Sequence, residues 1–165
     1  MINFSYFNPT RLVFGKGVES QVGEYVLEFG RNILMVYGGG SIKNNGVYDK
    51  VVASLKENGI RFTEYAGAMP NPRLSFVKGG IEIAKRENVD MVLAVGGGSA
   101  IDAAKGIAMG VKYDGDIWEV FANDSIRIKD ALPVGVVLTI PAAGSESSTA
   151  MVREGGIPSF RQAVR

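Results

Sequence analysis

The chain has 165 residues, of which 46% are hydrophobic and 21% charged, and its formal net charge is +1. This composition is typical of a globular domain with a buried core, and the near-neutral charge favours neither a nucleic-acid nor a membrane partner. The absence of cysteine and histidine excludes thiolate and histidine catalysis by this chain and removes the commonest transition-metal ligand.

Short apolar runs alternate with amphipathic stretches along the chain. Continuous Val/Ile/Leu strands alternating with helices indicate an α/β domain with an open, doubly wound parallel sheet, Rossmann-like, whose ligands bind beyond the carboxyl ends of the strands. We predict Gly30 as the C-cap of the first helix and segment 113–130 as irregular. The spacing predicts strands at 11–14, 32–37, 60–65, 89–95 and 133–140, and helices at 18–29, 47–58, 74–88 and from Ser99 onward.

Two runs with the letters GGGS follow predicted strands, and the first consists of Gly38, Gly39, Gly40 and Ser41. The next helical pattern starts only near Val47, so we expect no direct transition from this loop into a helix N-terminus. Dinucleotide-binding folds often place an acid after the second strand, where it binds the 2′-hydroxyl of the adenosine ribose. That position is Gly38 here, with Ser41 and Lys43 nearby, which favours NADP over NAD. The alternative is an ordinary exposed loop.

Two shorter loops carry weaker signals. Gly15 and Gly17 resemble the start of a dinucleotide fingerprint, but Ser20 replaces the third glycine, so we predict a turn. Asn71, in the proline-flanked loop 69–72, is a candidate polar contact to a ligand, and a structural role is the alternative.

The second run consists of Gly96, Gly97, Gly98 and Ser99, between an apolar strand and an alanine-rich helix. Residues without a Cβ allow backbone N–H groups to approach an anion, and a helix N-terminus adds the positive end of its dipole. Ser99 is predicted as the N-cap, with Asp102 three residues later as its capping partner. The run is therefore a candidate pyrophosphate site, and a tight strand-to-helix turn is the alternative.

The residues that follow extend this candidate site. Asp102 is either a capping residue or a polar group that faces the cofactor or substrate. Lys105 is a surface residue or a partner of Asp102, and a contact to phosphate is the less favoured alternative. Thr139, Ser145 and Ser147 follow the last predicted strand, where hydroxyl groups suit contacts to a sugar or a nicotinamide amide.

Together these segments resemble the iron-containing alcohol dehydrogenase family, and most of all its butanol dehydrogenase-like members. The most specific signals are GGGSAIDAAK and the downstream TIPAAGSE. The resemblance extends in order from Phe4 to Val152. The matching segments are 8–17, 37–49, 70–72, 96–105, 115–118 and 139–146.

The resemblance implies a dinucleotide-binding domain followed by an all-helical domain that carries a divalent metal, usually Fe²⁺ and sometimes Zn²⁺. It implies that Gly97, Gly98 and Ser99 hold the pyrophosphate, that Asp102 lies near the nicotinamide, and that residues 139–147 border both ends of the cofactor. An acid at the position of Gly38 accompanies NAD use in this family, so its absence agrees with NADP. The implied reaction is reversible hydride transfer between a primary alcohol or aldehyde and NAD(P).

The chain departs from the family at the metal site. The family's ligands are an aspartate and three histidines in the helical domain, and this chain has no histidine. We therefore assign no catalytic and no metal-binding residue, and we expect the isolated chain to be inactive. We expect residues 1–152 to form the dinucleotide-binding domain and residues 153–165 a divergent tail produced by truncation or frameshift. Two functions stay open: the cofactor-binding half of a metal-dependent alcohol dehydrogenase, or a non-catalytic NAD(P)-binding module.

Partners and location follow from the same observations. The expected partners are the cofactor and a small alcohol or aldehyde, and the apolar edge at residues 2–7 is compatible with a homodimer. No stretch resembles a signal peptide, and no apolar run approaches the roughly 18 residues that span a bilayer, so we expect a cytoplasmic protein.

Overall fold

The computed structural model describes residues 10–123, 125, 126, 128, 130–142, 144–148, 150, 151, 162 and 163. Its strands are β1 (Asn32–Tyr37), β2 (Arg61–Ala66), β3 (Met91–Gly96), β4 (Val134–Leu138), β5 (Ala150–Met151) and β6 (Gln162–Ala163). Its helices are α1 (Val22–Val26), α2 (Ser41–Asn44), α3 (Val47–Glu57), α4 (Leu74–Arg86), α5 (Gly98–Lys112) and α6 (Ile117–Ala122), with 3₁₀ turns at Val18–Gln21 and Ser145–Ser147.

The main sheet confirms the predicted open, doubly wound α/β architecture. Its four strands are parallel and lie in the order β2-β1-β3-β4, while β5 and β6 form a separate antiparallel pair. After β1 the chain moves to one side of the sheet, and after β3 it moves to the other. The strand order therefore reverses direction between β1 and β3, which is where ligands bind in sheets of this kind.

Helices cover both faces of this sheet because side chains alternate along its central strands. One face packs on α4, α5 and α6, and the other on α1, α2 and α3. The strand residues on the first face are Leu34, Val36, Val92 and Ala94. Those on the second face are Ile33, Met35, Tyr37, Met91, Leu93 and Val95. Their burial explains why β1 and β3 are recognisable as continuous apolar runs.

Small residues bring α4 and α5 close together. A Cβ at Gly80 would lie 2.3 Å from Cδ1 of Ile107, and a Cβ at Gly110 would lie 2.1 Å from Cδ1 of Ile81. The alanines of α5 are buried in the same layer. The helix that follows the second glycine run is therefore held firmly against its neighbours.

Three predictions for the first thirty residues differ from the structure. Residues 11–14 form no strand, because no described strand lies beside them, and Leu12 and Phe14 are 75% and 95% exposed. The predicted first helix is a 3₁₀ turn followed by α1, and Phe29 is 52% exposed. Gly30 is not a left-handed cap. A Cβ there would lie 2.4 Å from Oδ1 of Asp90, so close packing explains this glycine.

Segment 113–130 is not wholly irregular, because α6 lies within it. The Asp116 carboxylate accepts a hydrogen bond from the N–H of Trp118 at 2.9 Å and caps this helix. Ile117, Val120 and Phe121 form its buried face at helical spacing. That spacing and the aspartate before it were the signals for this helix.

The apolar edge at residues 2–7 and most of the predicted tail at 153–165 lie outside the described residues. Within the described part of the chain, no helix has both the length and the apolar character needed to cross a bilayer.

Candidate functional site

Both glycine runs lie at the point where the strand order reverses. β1 ends at Tyr37, directly before Gly38, and β3 ends at Gly96. Tyr37 pairs with Val95 across the two strands. The two loops therefore start side by side at the carboxyl edge of the sheet, as the doubly wound fold requires of a ligand site.

The second run leads directly into α5, a helix of 15 residues that begins at Gly98. The N-cap is Gly97 and not the predicted Ser99, because the helix begins at Gly98, two residues earlier than a cap at Ser99 requires. The carbonyl of Gly97 accepts hydrogen bonds from the N–H groups of Ala100 and Ile101 at 3.1 and 3.2 Å. The N–H groups of Gly98 and Ser99 precede these bonds, and helix geometry aims them out of the N-terminus with the positive end of the dipole.

The fold itself does not require glycine at two positions of this run. Neither Gly97 nor Gly98 has a left-handed backbone. A Cβ at Gly98 would meet nothing within 4 Å, and one at Gly97 would meet only Ile140 at 3.9 Å. A side chain at either residue would therefore meet largely open space at the start of the helix. The run therefore leaves an open cradle in which an anion can approach backbone N–H groups closely.

The chain after β4 runs alongside this cradle. The N–H of Thr139 donates a hydrogen bond of 3.0 Å to the carbonyl of Gly96, which continues the pairing of β3 and β4 by one residue. Thr139 is half-buried at this edge, and Ile140 is 67% exposed. The structure thus brings the predicted site residues Gly96, Gly97, Gly98, Ser99 and Thr139 together.

Two further predicted site residues, Asp102 and Ser145, contact each other directly. The Ser145 hydroxyl donates a hydrogen bond to Oδ1 of Asp102 at 2.5 Å, and Asp102 is only 7% exposed. Ser147 lies in the same 3₁₀ turn as Ser145 and is exposed. The predicted capping pair of Ser99 and Asp102 is therefore wrong, because Ser99 is not the N-cap. Asp102 instead joins α5 to the loop that contains Ser145.

Lys105 is a member of this cluster that sequence reasoning underestimated. Its ammonium donates hydrogen bonds to the carbonyls of Ser145 and Ser148, both at 2.6 Å, and to the Ser145 hydroxyl at 3.2 Å. Lys105 is half-buried rather than a surface residue. Burial lowers its pKa, while the carboxylates of Asp102 and Glu146 act in the opposite direction. Its position three residues after Asp102, on the same face of a helix, was the available signal.

The first glycine run also leads directly into a helical turn, which corrects the prediction of an open loop before Val47. Gly40 has φ 114° and is the N-cap of α2, a single turn that begins at Ser41. Gly38 is close to its neighbours, because a Cβ there would lie 3.3 Å from the carbonyl oxygen of Ala68. Gly39 has open space around it. Only Gly40 needs a conformation that glycine favours.

A cluster of polar and aromatic groups supports this loop. The ammonium of Lys43 lies 5.5 Å from the centre of the Tyr37 ring and 4.6 Å from that of Tyr48. The two tyrosine hydroxyls donate hydrogen bonds of 2.6 and 2.7 Å to the carboxylate of Glu64. Glu64, on β2, was missed at the sequence level because no local motif contains it. The register of Met35 with Glu64 brings it here.

These contacts shift the pKa values of the cluster. Burial, followed by the hydrogen bond to Glu64, raises the pKa of the Tyr37 hydroxyl to about 12. Burial acts to raise the pKa of Glu64, but the hydrogen bonds from Tyr37 and Tyr48, with Lys43 and Lys56 nearby, lower it overall. The cluster therefore keeps one carboxylate charged and both tyrosines neutral over the ordinary pH range.

Asn71 lies in the loop between β2 and α4, at the same edge of the sheet. It is exposed and has a left-handed backbone with φ 52°. A cleft of about 300 Å³ adjoins this loop and is lined by Gly67, Met69, Arg73, Ser75 and Phe76. Asn71 is not among the residues that line this cleft.

Among the described residues, no three acidic side chains come together as a metal site would require. The whole sequence contains neither histidine nor cysteine. The chemistry of the residues present therefore does not fit a resident iron or zinc ion.

Comparisons with known proteins agree with this fold and site. Residues 9–155 match the family model of iron-containing alcohol dehydrogenase. Over 146 residues the chain is 53% identical to the probable NADH-dependent butanol dehydrogenase 2 of Bacillus subtilis. This match covers 88% of this chain and 37% of that protein. Over 154 residues it is 40% identical to the NADPH-dependent aldehyde reductase YqhD of Escherichia coli, covering 92% of this chain and 39% of that protein.

Solved structures show the same likeness. The NADH-dependent butanol dehydrogenase A of Thermotoga maritima superposes with a TM-score of 0.87 at 49% identity, over 92% of this chain and 38% of that one. The chain thus spans less than two-fifths of the length of the relatives named here.

Proposed function

The chain belongs to the iron-containing alcohol dehydrogenase family, and from that premise we propose that it is the cofactor-binding part of an NAD(P)-dependent alcohol or aldehyde oxidoreductase. The relatives are named as butanol dehydrogenases and an aldehyde reductase, and the chain covers 37% and 39% of two of them. The family-model match over residues 9–155 supports a dinucleotide-binding domain that occupies most of the chain. We propose residues 1–152 as this domain and residues 153–165 as a divergent tail.

The observation that carries the proposal is the open cradle at the N-terminus of α5. Gly97 and Gly98 have neither a backbone conformation nor a packing contact that requires glycine. Space for a ligand explains them better than the fold does. A pyrophosphate fits there because the backbone N–H groups and the helix dipole both favour negative charge.

The other predicted residues are assigned along the same edge of the sheet. Gly97, Gly98 and Ser99 would hold the pyrophosphate, and the first run (Gly38, Gly39, Gly40 and Ser41) with Lys43 would border the adenosine. Thr139, Ser145 and Ser147 would line the opposite wall, with Asn71 at the rim. When bound, the nicotinamide exchanges a hydride with the carbon that bears the alcohol or aldehyde oxygen.

No catalytic step is assigned to a metal. The family name implies iron, but the residues of this chain do not fit it, as shown by its lack of histidine and of an acidic cluster among the described residues. That observation supports the second candidate function for the isolated chain: binding of NAD(P) without turnover.

For the cofactor, we propose a preference for NADP(H). No acidic residue stands between Gly38 and Gly46, and Lys43 supplies a cation there. The names of the relatives do not decide the matter. Proteins 48–53% identical are named NADH-dependent, and two that are 40% identical are named for NADPH or NADP.

The test is a titration of the 165-residue chain with NADPH and NADH, followed by the change in nicotinamide fluorescence. Gly98→Asp should abolish binding, because the carboxylate would occupy the cradle and repel the pyrophosphate. The variant should fold, because the position is open and an acid at a helix N-terminus is favourable. Ser75→Asp, an exposed residue near the N-terminus of α4, is the matched control and should bind as the wild type does.

Two results would contradict the proposal. Unchanged binding by a folded Gly98→Asp variant would remove the cradle assignment. Oxidation of butanol by this chain after addition of Fe²⁺ or Zn²⁺ would contradict the proposal that the isolated chain binds NAD(P) without turnover.

A further inference from the structure

We propose that Lys105 is a positioning residue for the cofactor, which holds loop residues 145–148 against α5 so that the chain after β4 forms the second wall of the cradle. The inference rests on the proposed function above, and it adds a residue whose role is indirect.

The two shortest hydrogen bonds of Lys105 are to the main chain of the loop, and a longer one reaches the Ser145 hydroxyl at 3.2 Å. Its ammonium donates to the carbonyls of Ser145 and Ser148, both at 2.6 Å. These carbonyls belong to the 3₁₀ turn Ser145–Ser147 and to its C-cap. A cation there gives both carbonyls a charge-assisted hydrogen bond, in addition to the main-chain bond that the Ser145 carbonyl accepts from the N–H of Ser148. The side chain thus stabilises the conformation of the turn as well as its attachment to α5.

Lys105 is half-buried, so its contacts with the loop are needed to offset the cost of desolvating its ammonium. A partly desolvated ammonium costs free energy unless hydrogen bonds and opposite charges compensate. Asp102, one turn earlier on α5, and Glu146, in the turn itself, are the carboxylates near it. Asp102 in turn accepts the hydrogen bond of the Ser145 hydroxyl. Helix and loop are therefore joined by one charged network.

This network lies close to the cradle. Lys105 is seven residues after Gly98, about 10 Å along the helix axis at 1.5 Å per residue. The wall is attached to the sheet at its start, where Thr139 donates to Gly96. Lys105 attaches its far end to α5. Between these attachments, Ile140 passes 3.9 Å from where a Cβ of Gly97 would lie. If the far end is released, the wall loses its fixed distance from the cradle.

The experiment compares Lys105→Met, which keeps the length of the stem and removes the charge, with Lys105→Arg, which keeps the charge. Lys112→Met is the matched control, because Lys112 is an exposed lysine at the other end of the same helix. For each variant of the 165-residue chain, NADPH affinity is measured by fluorescence. Hydrogen exchange of the Ser147 and Ser148 amides is measured without cofactor, since these amides donate to the carbonyls of Gly144 and Ser145.

Lys105→Met should weaken NADPH binding about tenfold, the loss expected for charge-assisted hydrogen bonds, and should speed exchange of both amides. Lys105→Arg should recover most of the affinity, and Lys112→Met should match the wild type. Wild-type affinity in a folded Lys105→Met variant would overturn the inference, as would unchanged amide exchange.

The inference can still be tested if the Lys105→Met variant does not fold. Lys105→Gln then replaces it, and faster amide exchange without weaker NADPH binding would overturn the inference. Failure of the wild-type chain to bind NADPH or NADH is a different result, because it would remove the proposed function itself.

Discussion

The Ser145 hydroxyl donates a hydrogen bond of 2.5 Å to the buried carboxylate of Asp102, across 43 residues of sequence. A hydrogen bond to a buried charge is among the stronger kinds, so we expect Ser145→Ala to lower the free energy of unfolding by about 1–3 kcal/mol. In a double-mutant cycle with Asp102→Ala, urea unfolding should show clear coupling between the two residues. Strictly additive effects would mean that the contact contributes no stability.

Lys43 is expected to discriminate between the two cofactors. If its ammonium lies near the adenosine end, Lys43→Ala should weaken NADPH binding more than NADH binding, because only NADPH carries a 2′-phosphate. Fluorescence titrations with both cofactors measure this ratio. The control is Lys56→Ala. Lys56 is also close to Glu64, but it lies on α3 and not beside the first glycine run. An equal loss for both cofactors would remove the argument for NADP(H).

Gly23 is expected to be essential for the packing of α1 on α3. Its N–H donates a hydrogen bond of 3.0 Å to Oγ of Ser54, and a Cβ would lie 2.4 Å from the main-chain carbonyl oxygen of Ser54. Main-chain atoms inside a helix cannot move aside easily. Gly23→Ala should therefore destabilise the chain by about 1–3 kcal/mol in urea unfolding.

Glu24, the exposed neighbour of Gly23 on the same helix, provides the control. Glu24→Ala should change stability by no more than about 0.5 kcal/mol. Comparable effects of the two substitutions would show that α1 packs less tightly than its contacts indicate.

The buried tyrosine of β1 is expected to make the fold sensitive to alkaline pH. An unfolded tyrosine ionises near its ordinary value of 10.0, whereas Tyr37 keeps its proton until its pKa of about 12. The unfolded chain therefore releases this proton first. The contribution of Tyr37 to the free energy of unfolding is fully present below the unfolded pKa of 10.0 and is lost as the pH rises toward the folded pKa of about 12. Urea midpoints of the wild type should fall more steeply across this range than those of Tyr37→Phe. Parallel pH profiles would contradict the assignment.

Much of the fold could be predicted because its signals are local. β1 and β3 are continuous apolar runs that are buried on both faces, and α3 carries its apolar stripe at helical spacing. The predictions failed where partners decide the structure. Residues 11–14 have strand-like composition but no described strand beside them, and the close approach of Asp90 explains Gly30 better than a helix cap does.

The sequence by itself determined the parallel α/β architecture, the family and the second glycine run, because apolar periodicity and contiguous motifs need only neighbouring residues to be read. Only the tertiary structure decided that Gly97 is the cap of α5, that Lys105 holds the loop after β4, and that Glu64 meets Tyr37. These features depend on strand register and on residues up to 43 positions apart. Contacts over such distances form only when the sheet fixes which chain ends lie side by side.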